Sequence, residues 1–144
     1  MQHIAELISL GMTFPTIVLA VAVIYTWLPS ARAAIKSDCP SAQDWFIVGV
    51  VAGFTGSLFD NLYWFLPWTA AYLGHESFTP LVECGVFFNI IFRQGLGICA
   101  AYCHLKAAEI SSNNNIRFVN VLLVASNLIG VGYSILLVVG NSIN

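Results

Sequence analysis

Apolar residues fill four long stretches of the chain, and short polar segments separate them. The stretches cover residues 7–28, 45–66, 81–105 and 117–139. At a rise of about 1.5 Å per residue, a helix of about 20 residues crosses the ~30 Å hydrocarbon core of a bilayer. The pattern therefore predicts one domain, residues 1–144, built from four membrane-spanning α-helices.

The ends of two of these stretches need separate interpretation. Ala31-Arg32-Ala33 has the small-x-small form of a signal-peptide cleavage site, but no basic segment precedes the apolar run, which is also too long for a signal peptide. We therefore expect the first stretch to be a true span. The second apolar stretch continues to about residue 73, and we expect its helix to bend or end near Pro67. Ser41 or Asp44 is expected to cap the start of that helix.

The basic residues predict how the helices are oriented. Arg32 and Lys36 lie in the predicted connection 29–44, while Lys106 and Arg117 flank the predicted connection 106–116. Because cytoplasmic connections carry an excess of Lys and Arg, both connections are predicted to be cytoplasmic, with the N- and C-termini outside. The predicted location is the cytoplasmic, or inner, membrane.

Composition and charge exclude several classes of protein. The chain is 58% hydrophobic and only 8% charged, whereas a soluble domain carries about 25% charged residues. Its formal net charge is −2, and its cations form no cluster, so nothing indicates a nucleic-acid partner. The bilayer itself is the expected partner, and no cofactor is indicated.

Small residues recur along one face of the predicted second helix. Gly49, Gly53 and Gly56 lead to Asp60 at spacings of 4, 3 and 4 residues, which align on one side of an α-helix. Such stripes let another helix backbone approach closely. The stripe is expected to pack either within one subunit or between subunits, and both alternatives place Asp60 at a protein contact.

Two charged residues lie at similar predicted depths in neighbouring spans. Asp60 is about 23 Å and Arg93 about 18 Å from the cytoplasmic end of its predicted helix. Because an unpaired charge at the bilayer centre costs about 2.5–3.5 kcal/mol, we expect the two residues to form an ion pair. Asn61, Asn89 and Gln94 are expected to complete its hydrogen bonds. The pair either fixes the helix register or contributes to a polar pore or proton path.

Other polar residues in the apolar stretches are weaker candidates for function. Glu83, Asn120 and Asn127 are possible members of an aqueous path. Cys99, Cys103 and His104 suggest a metal site, but His104 points away from the face that the thiols share, so no metal is predicted. Enzyme motifs such as G-x-S-x-G, H-E-x-x-H and phosphate-binding loops do not occur. The chain is therefore not expected to be an enzyme.

In its length, its short loops and its lack of enzyme motifs, the chain resembles the small polytopic membrane proteins of phages, notably holins. The expected fold class is all-α, an integral membrane four-helix bundle. The first functional hypothesis is a homo-oligomeric channel or lesion whose polar residues face a wet interior. The second is a structural or accessory subunit of a larger membrane assembly, and the third is a small transporter or intramembrane enzyme.

If Asp60 is buried against protein while Glu83 lies near the membrane surface, the two carboxylates differ in their importance for folding. Asp60→Leu is expected to lower thermal stability or disrupt assembly more than Glu83→Gln does, because it leaves the Arg93 charge unpaired. Thermal unfolding in detergent measures both variants. Equal and negligible effects would refute this ranking.

Overall fold

The architecture of the chain is all-helical, as predicted. A computed structural model describes residues 2–72 and 90–143. It contains the helices α1 (Gln2–Ile35), α2 (Ala42–Tyr72), α3 (Gly95–Ile110) and α4 (Asn114–Ile143), with a π-helical turn (Ile90–Gln94) leading into α3. Asn89, Glu83 and the first part of the predicted third span lie outside the described residues.

Within residues 2–72 and 90–143, three helices are long and apolar enough to cross a membrane. The qualifying segments are Thr13–Ile35, Ala42–Leu62 and Asn114–Tyr133. They correspond to the first, second and fourth predicted spans, shifted by several residues. These three helices indicate a membrane protein.

The first connection is shorter than the predicted segment 29–44. Helix α1 continues through Pro29 to Ile35, so only residues 36–41 connect it to α2. Proline costs the helix one backbone hydrogen bond, but Ala31 and Ala34 follow it and are buried. Alanine is the strongest helix former. Burial and helix propensity therefore outweigh the break that the sequence suggested.

Reciprocal hydrogen bonds fix the start of α2. The Ser41 backbone N–H donates to Asp44 Oδ2 at 2.8 Å, and the Asp44 backbone N–H donates to Ser41 Oγ at 3.2 Å. This is the geometry of a capping box, with Asp in the place of the usual Glu. Both residues predicted as possible caps thus take part. At its other end α2 continues through Pro67 to Tyr72. Of the two expectations for Pro67, a bend or an end of the helix, the end is therefore wrong.

The second connection is also shorter than the predicted segment 106–116. Helix α3 extends to Ile110, and residues 111–113 connect it to α4. Ala107 and Ala108 are buried, which favours continued helix beyond the predicted end. Asn113 Oδ1 accepts hydrogen bonds from the backbone N–H groups of Asn115 at 2.9 Å and Ile116 at 3.4 Å. Asn113 is therefore the N-cap that starts α4.

The helices pack in the order of the sequence. Helix α1 contacts α2, α2 contacts α3, and α3 contacts α4. At one end of the molecule the Trp45 ring lies edge-on to Tyr102, with centroids 5.9 Å apart, and Lys106 Nζ lies 5.8 Å from the Tyr102 ring centroid. Both described connections therefore lie at the same end, together with the basic residues that predicted orientation. Which side of the membrane this end faces stays a prediction.

Small residues occupy the helix contacts, and large apolar residues point outward. The buried apolar residues are mostly alanines: Ala20, Ala31, Ala34, Ala52, Ala100, Ala101, Ala107 and Ala108. By contrast, Leu19, Ile129 and Leu136 are more than half exposed. This is the reverse of a soluble bundle, whose large apolar residues fill the core. It is the arrangement expected of helices that pack against one another in lipid.

The glycine stripe of α2 packs against α3 of the same chain. A Cβ placed on Gly49 would lie 2.9 Å from His104 Nε2, and one on Gly53 would lie 3.6 Å from Ala100 Cβ. One on Gly56 would lie 3.3 Å from Leu96 Cβ. Of the two alternatives for the stripe, the structure shows the packing within one subunit.

The contact at Gly49 predicts a strong effect of a single methyl group. Gly49→Ala is expected to destabilise the protein by about 1–3 kcal/mol, because the buried His104 ring has to move to admit the new atom. The control is Gly132→Ala, since a Cβ at Gly132 meets no heavy atom within 4 Å. Thermal unfolding in one detergent compares them. Equal melting temperatures for the two variants would contradict the close approach of α2 and α3.

Candidate functional site

The predicted ion pair between Asp60 and Arg93 is present. Arg93 Nη1 lies 2.5 Å from Asp60 Oδ1, and the side chains are 25% and 17% exposed for Arg93 and Asp60, respectively. Measured along the observed helices, Asp60 is about 27 Å from the start of α2 and Arg93 about 25 Å from the end of α3. The two charges therefore meet at nearly the same depth, far from both described connections.

Local structure around each residue positions the pair. Arg93 belongs to the π-helical turn Ile90–Gln94, and such turns are often found at functional sites. Phe59 and Phe92, which directly precede the two charged residues, stack with ring centroids 5.2 Å apart and an interplanar angle of 27°. Stacked rings add about 0.5–1.5 kcal/mol beyond burial. They fix the register that brings the carboxylate to the guanidinium.

The amides predicted to support the pair are arranged differently. Asn61 Nδ2 donates to the Ser57 backbone oxygen at 2.7 Å and to Ser57 Oγ at 3.2 Å, both on its own helix. Gln94 is only 8% exposed, and its Oε1 has no hydrogen-bond partner among the described residues. The described hydrogen bonds of these amides therefore do not support the expectation that they complete the ion pair.

A second polar contact lies closer to the connections. His104 Nδ1 is 2.9 Å from Asn120 Oδ1, and the two residues are 2% and 0% exposed. Asn120 Nδ2 donates to the Ile116 backbone oxygen at 2.9 Å, so Asn120 Oδ1 is the acceptor and His104 Nδ1 carries the donated proton. The Phe46 ring lies against the imidazole, with centroids 5.6 Å apart, and Gly49 borders it on the same helix.

Sequence analysis missed this contact, although the signal was available. His104 lies six residues before the end of α3, and Asn120 lies six residues after the start of α4. The Asp60–Arg93 pair was predicted because the two residues lie at similar depth on consecutive antiparallel helices, and the same reasoning applies to His104 and Asn120. Asn120 was instead assigned to an aqueous path, whereas the structure places it in a buried hydrogen bond.

The cysteines do not form a metal centre in the described part of the chain. Cys99 is exposed, Cys103 is buried, and the His104 ring is directed to Asn120. Across residues 2–72 and 90–143, no group of three His, Cys, Asp or Glu side chains is placed to hold a metal ion. Cys39 is exposed in the first connection.

A partly open cavity of about 130 Å³ lies beside the ion pair, between α2, α3 and α4, and Ser126 at its edge is exposed. Its walls combine small residues with polar side chains: Gly53, Gly56, Ser57, Arg93, Gly97, Ser126, Asn127, Gly130 and Val131. Asn127 Nδ2 donates to the Leu123 backbone oxygen at 2.8 Å. The Asn127 Oδ1 atom lies 3.5 Å from the position of a Cβ on Gly53, on the side where α4 faces α2.

The ion pair, the cavity and the His104–Asn120 contact together form what we call the polar seam of α2, α3 and α4. Asn127, predicted as a path residue, lines its cavity, as do Gly53 and Gly56 of the stripe. Ser57 and Ser126 also line it, and sequence analysis passed over both because isolated serines in apolar helices carry no distinctive spacing. The seam offers hydroxyl, carboxamide and guanidinium groups to a small polar ligand or to water.

The chain matches no protein-family model, no curated protein and no solved structure.

The His104–Asn120 contact makes a testable contribution to stability. Asn120→Leu is expected to destabilise the protein by about 1–2 kcal/mol, because it leaves a buried imidazole N–H without its acceptor. The double variant His104→Leu/Asn120→Leu removes both polar partners and is expected to be less destabilised than the sum of the single variants. Unfolding in detergent measures all three. Strict additivity would contradict a direct contact between the two side chains.

Proposed function

We propose that this protein is a small channel-forming protein of the cytoplasmic membrane, with both termini outside and a permeation path along the polar seam. The observation that carries the proposal is the partly open cavity beside the Asp60–Arg93 pair, between the apolar helices α2, α3 and α4. Charged residues within membrane spans commonly mark ion and proton pathways. The likeness to holins in size and loop length is consistent with a protein that acts on membrane permeability.

The free-energy cost of placing charges in the membrane also favours a role for the Asp60–Arg93 pair beyond packing. Each charge costs about 2.5–3.5 kcal/mol at the membrane centre on insertion scales, before pairing. A buried ion pair can often be replaced by apolar residues without loss of stability. Helix register is already defined by the glycine stripe against α3 and by the stacked Phe59 and Phe92 rings. A charged pair bordering a polar cavity therefore exceeds what packing alone requires.

The proposal includes self-association, but through a different surface from the glycine stripe of α2. Gly49, Gly53 and Gly56 pack within the chain. The outer faces of α1 and α4 carry large exposed residues, including Phe14, Leu19, Phe118, Leu122, Ile129 and Leu136. These faces are available to lipid or to another copy. A homo-oligomer would be built through them, leaving the polar seam inside each subunit.

A non-conducting accessory subunit is the second candidate. It is favoured by the way several polar groups satisfy one another: Asp60 with Arg93, and His104 with Asn120. In this alternative the seam only holds the helices in register, and the outer faces dock onto a larger membrane complex.

Controlled expression in bacteria separates the two candidates. A channel is expected to collapse the membrane potential, read with a potential-sensitive dye, and to purify in mild detergent as a homo-oligomer. The control is an unrelated non-conducting membrane protein with a similar number of helices at equal membrane abundance, which reports whether loading the membrane with protein alone causes the effect. An unchanged membrane potential at high abundance, with a stoichiometric partner in the purified complex, would overturn the channel proposal and favour the accessory subunit.

A further inference from the structure

We propose that a second copy of the chain completes the polar seam by packing along α4 at Ser126 and Gly130, where it covers the open side of the cavity. This inference rests on the self-association in the proposed function and names the surface that carries it. The seam of each copy stays within its own chain. Two copies related by a twofold axis along the membrane normal each cover the other's cavity at this edge.

The open edge of the cavity lies near the middle of the membrane. Ser126 is about 18 Å and Gly130 about 24 Å along α4 from its start. Trp45 and Tyr102, whose rings contact one another near the connections, mark one membrane interface, where such residues concentrate. A hydrocarbon core of ~30 Å that begins at that level has its centre close to Ser126. A group exposed at this depth faces acyl chains unless protein covers it.

Polar side chains are exposed at this opening in the single chain. Ser126 is exposed at the edge of the cavity, and the side chain of Arg93, which also lines it, is 25% exposed. Acyl chains offer these groups no hydrogen-bond partner, and a polar group without one costs about 1–3 kcal/mol. Charged side chains in membrane spans accordingly face the protein interior or a water-filled space. Whether the cavity holds water or side chains, its lipid-facing side therefore needs a cover of protein.

The same edge of α4 has room for the backbone of a neighbouring helix. Ser126 and Gly130 are four residues apart and lie on one side of α4. A Cβ placed on Gly130 would meet no heavy atom within 4 Å, whereas one on Gly49 or Gly56 would meet α3. Small residues at this spacing let another membrane helix approach closely. The described residues leave the space beside Gly130 free for a helix from outside the chain.

Large apolar residues extend this edge along α4. Leu122 lies four residues before Ser126 and is 53% exposed, and Ile129 lies three residues after it and is 71% exposed. Residues at these spacings share one side of a helix. Together with Gly130 they form a contact surface of about two turns, continuous with the outer face of α4 through which the proposed homo-oligomer is built.

The chemistry of the edge fits an identical edge. A hydroxyl group both donates and accepts hydrogen bonds, so two Ser126 hydroxyls can pair across a twofold axis. They meet at equal depth, because both copies insert in the same orientation. The charge of Arg93 is matched by Asp60 of its own chain, so bringing two copies together adds no net repulsion. This self-complementarity favours a second copy over a protein of different sequence.

Oxidative cross-linking at Ser126 tests the assigned surface. In a background in which all four native cysteines are replaced, Ser126→Cys is compared with Leu128→Cys. Leu128 is 51% exposed but lies about 160° away around α4. Because a disulfide needs Cβ atoms about 4 Å apart, copper-catalysed oxidation in native membranes is expected to give at least about fivefold more disulfide-linked dimer from Ser126→Cys. No dimer, equal dimer from both positions, or a cross-link to a protein other than this chain would overturn the inference.

The strength of association is tested at two glycines of α4. Gly130→Leu is expected to weaken dimerisation at least about tenfold in sedimentation equilibrium in mild detergent, because its side chain prevents the close approach. The matched control is Gly132→Leu, about 160° away around the helix, which is expected to dimerise like the wild type. A Cβ at either position meets no heavy atom within 4 Å, so both variants are expected to fold, as melting temperatures check. Undiminished dimerisation of folded Gly130→Leu would contradict the assigned surface.

The membrane potential separates this inference from the proposed function. If the wild-type protein collapses the potential but Ser126→Cys gives no more dimer than Leu128→Cys, the assigned surface is overturned and the channel function stands. If Ser126→Cys gives the expected dimer but the wild-type protein leaves the potential unchanged, the surface stands and the channel function is overturned.

Discussion

The close approach of α2 and α3 is the contact on which the rest of the structure depends. Three glycines on one face of α2 remove the side chains that would hold the helices apart, and His104, Ala100 and Leu96 of α3 fill the space. In lipid, where apolar surface gains little from being buried against other apolar surface, such contact between small residues is what holds helices together. It also sets the register that aligns Asp60 with Arg93 and places the buried imidazole over Gly49.

For predicting which polar side chains meet between helices, the depth of each residue along its helix was more informative than the residues beside it in sequence. Comparing distances from the helix ends predicted the Asp60–Arg93 pair, and the observed helix ends bring the two depths closer together than the predicted ends did. The same comparison applied to His104 and Asn120 would have found their hydrogen bond. The expectation for Asn61 is not supported, because its amide donates to the Ser57 backbone oxygen on its own helix. Comparing depths does not reveal such a bond within one helix.

Helix ends were harder to predict, for a physical reason. Pro29 and Pro67 appear as breaks in sequence, yet both lie inside helices. A membrane helix tolerates proline where neighbouring groups satisfy the freed carbonyl, and burial of Ala31 and Ala34 favours continuing α1. The all-helical fold and three of the four predicted spans followed from apolar run length. The length of the connections depended instead on tertiary packing, which composition does not encode.

The polar seam contains two pairs of polar side chains that interact with each other, and a cavity lies between these pairs. Its two ends are closed by direct contacts, Asp60 with Arg93 and His104 with Asn120. Between them Ser57, Ser126 and Asn127 border open space. A bundle selected only for stability would close such a space with apolar side chains, because cavities forfeit packing. The open part of the seam is therefore the feature on which the proposed function depends.

The central claim is that α2 packs against α3 and the π-helical turn of the same chain. Cross-linking tests this claim most directly. Phe59 of α2 and Phe92 of the π-helical turn before α3 stack with ring centroids 5.2 Å apart, so cysteines at both positions lie close enough to be joined in native membranes by copper-catalysed oxidation to a disulfide. With the native cysteines replaced, the account predicts cross-linking within single chains, seen as a monomer of altered mobility at every protein density. Cross-linked dimers as the main product, in place of that monomer, would contradict it.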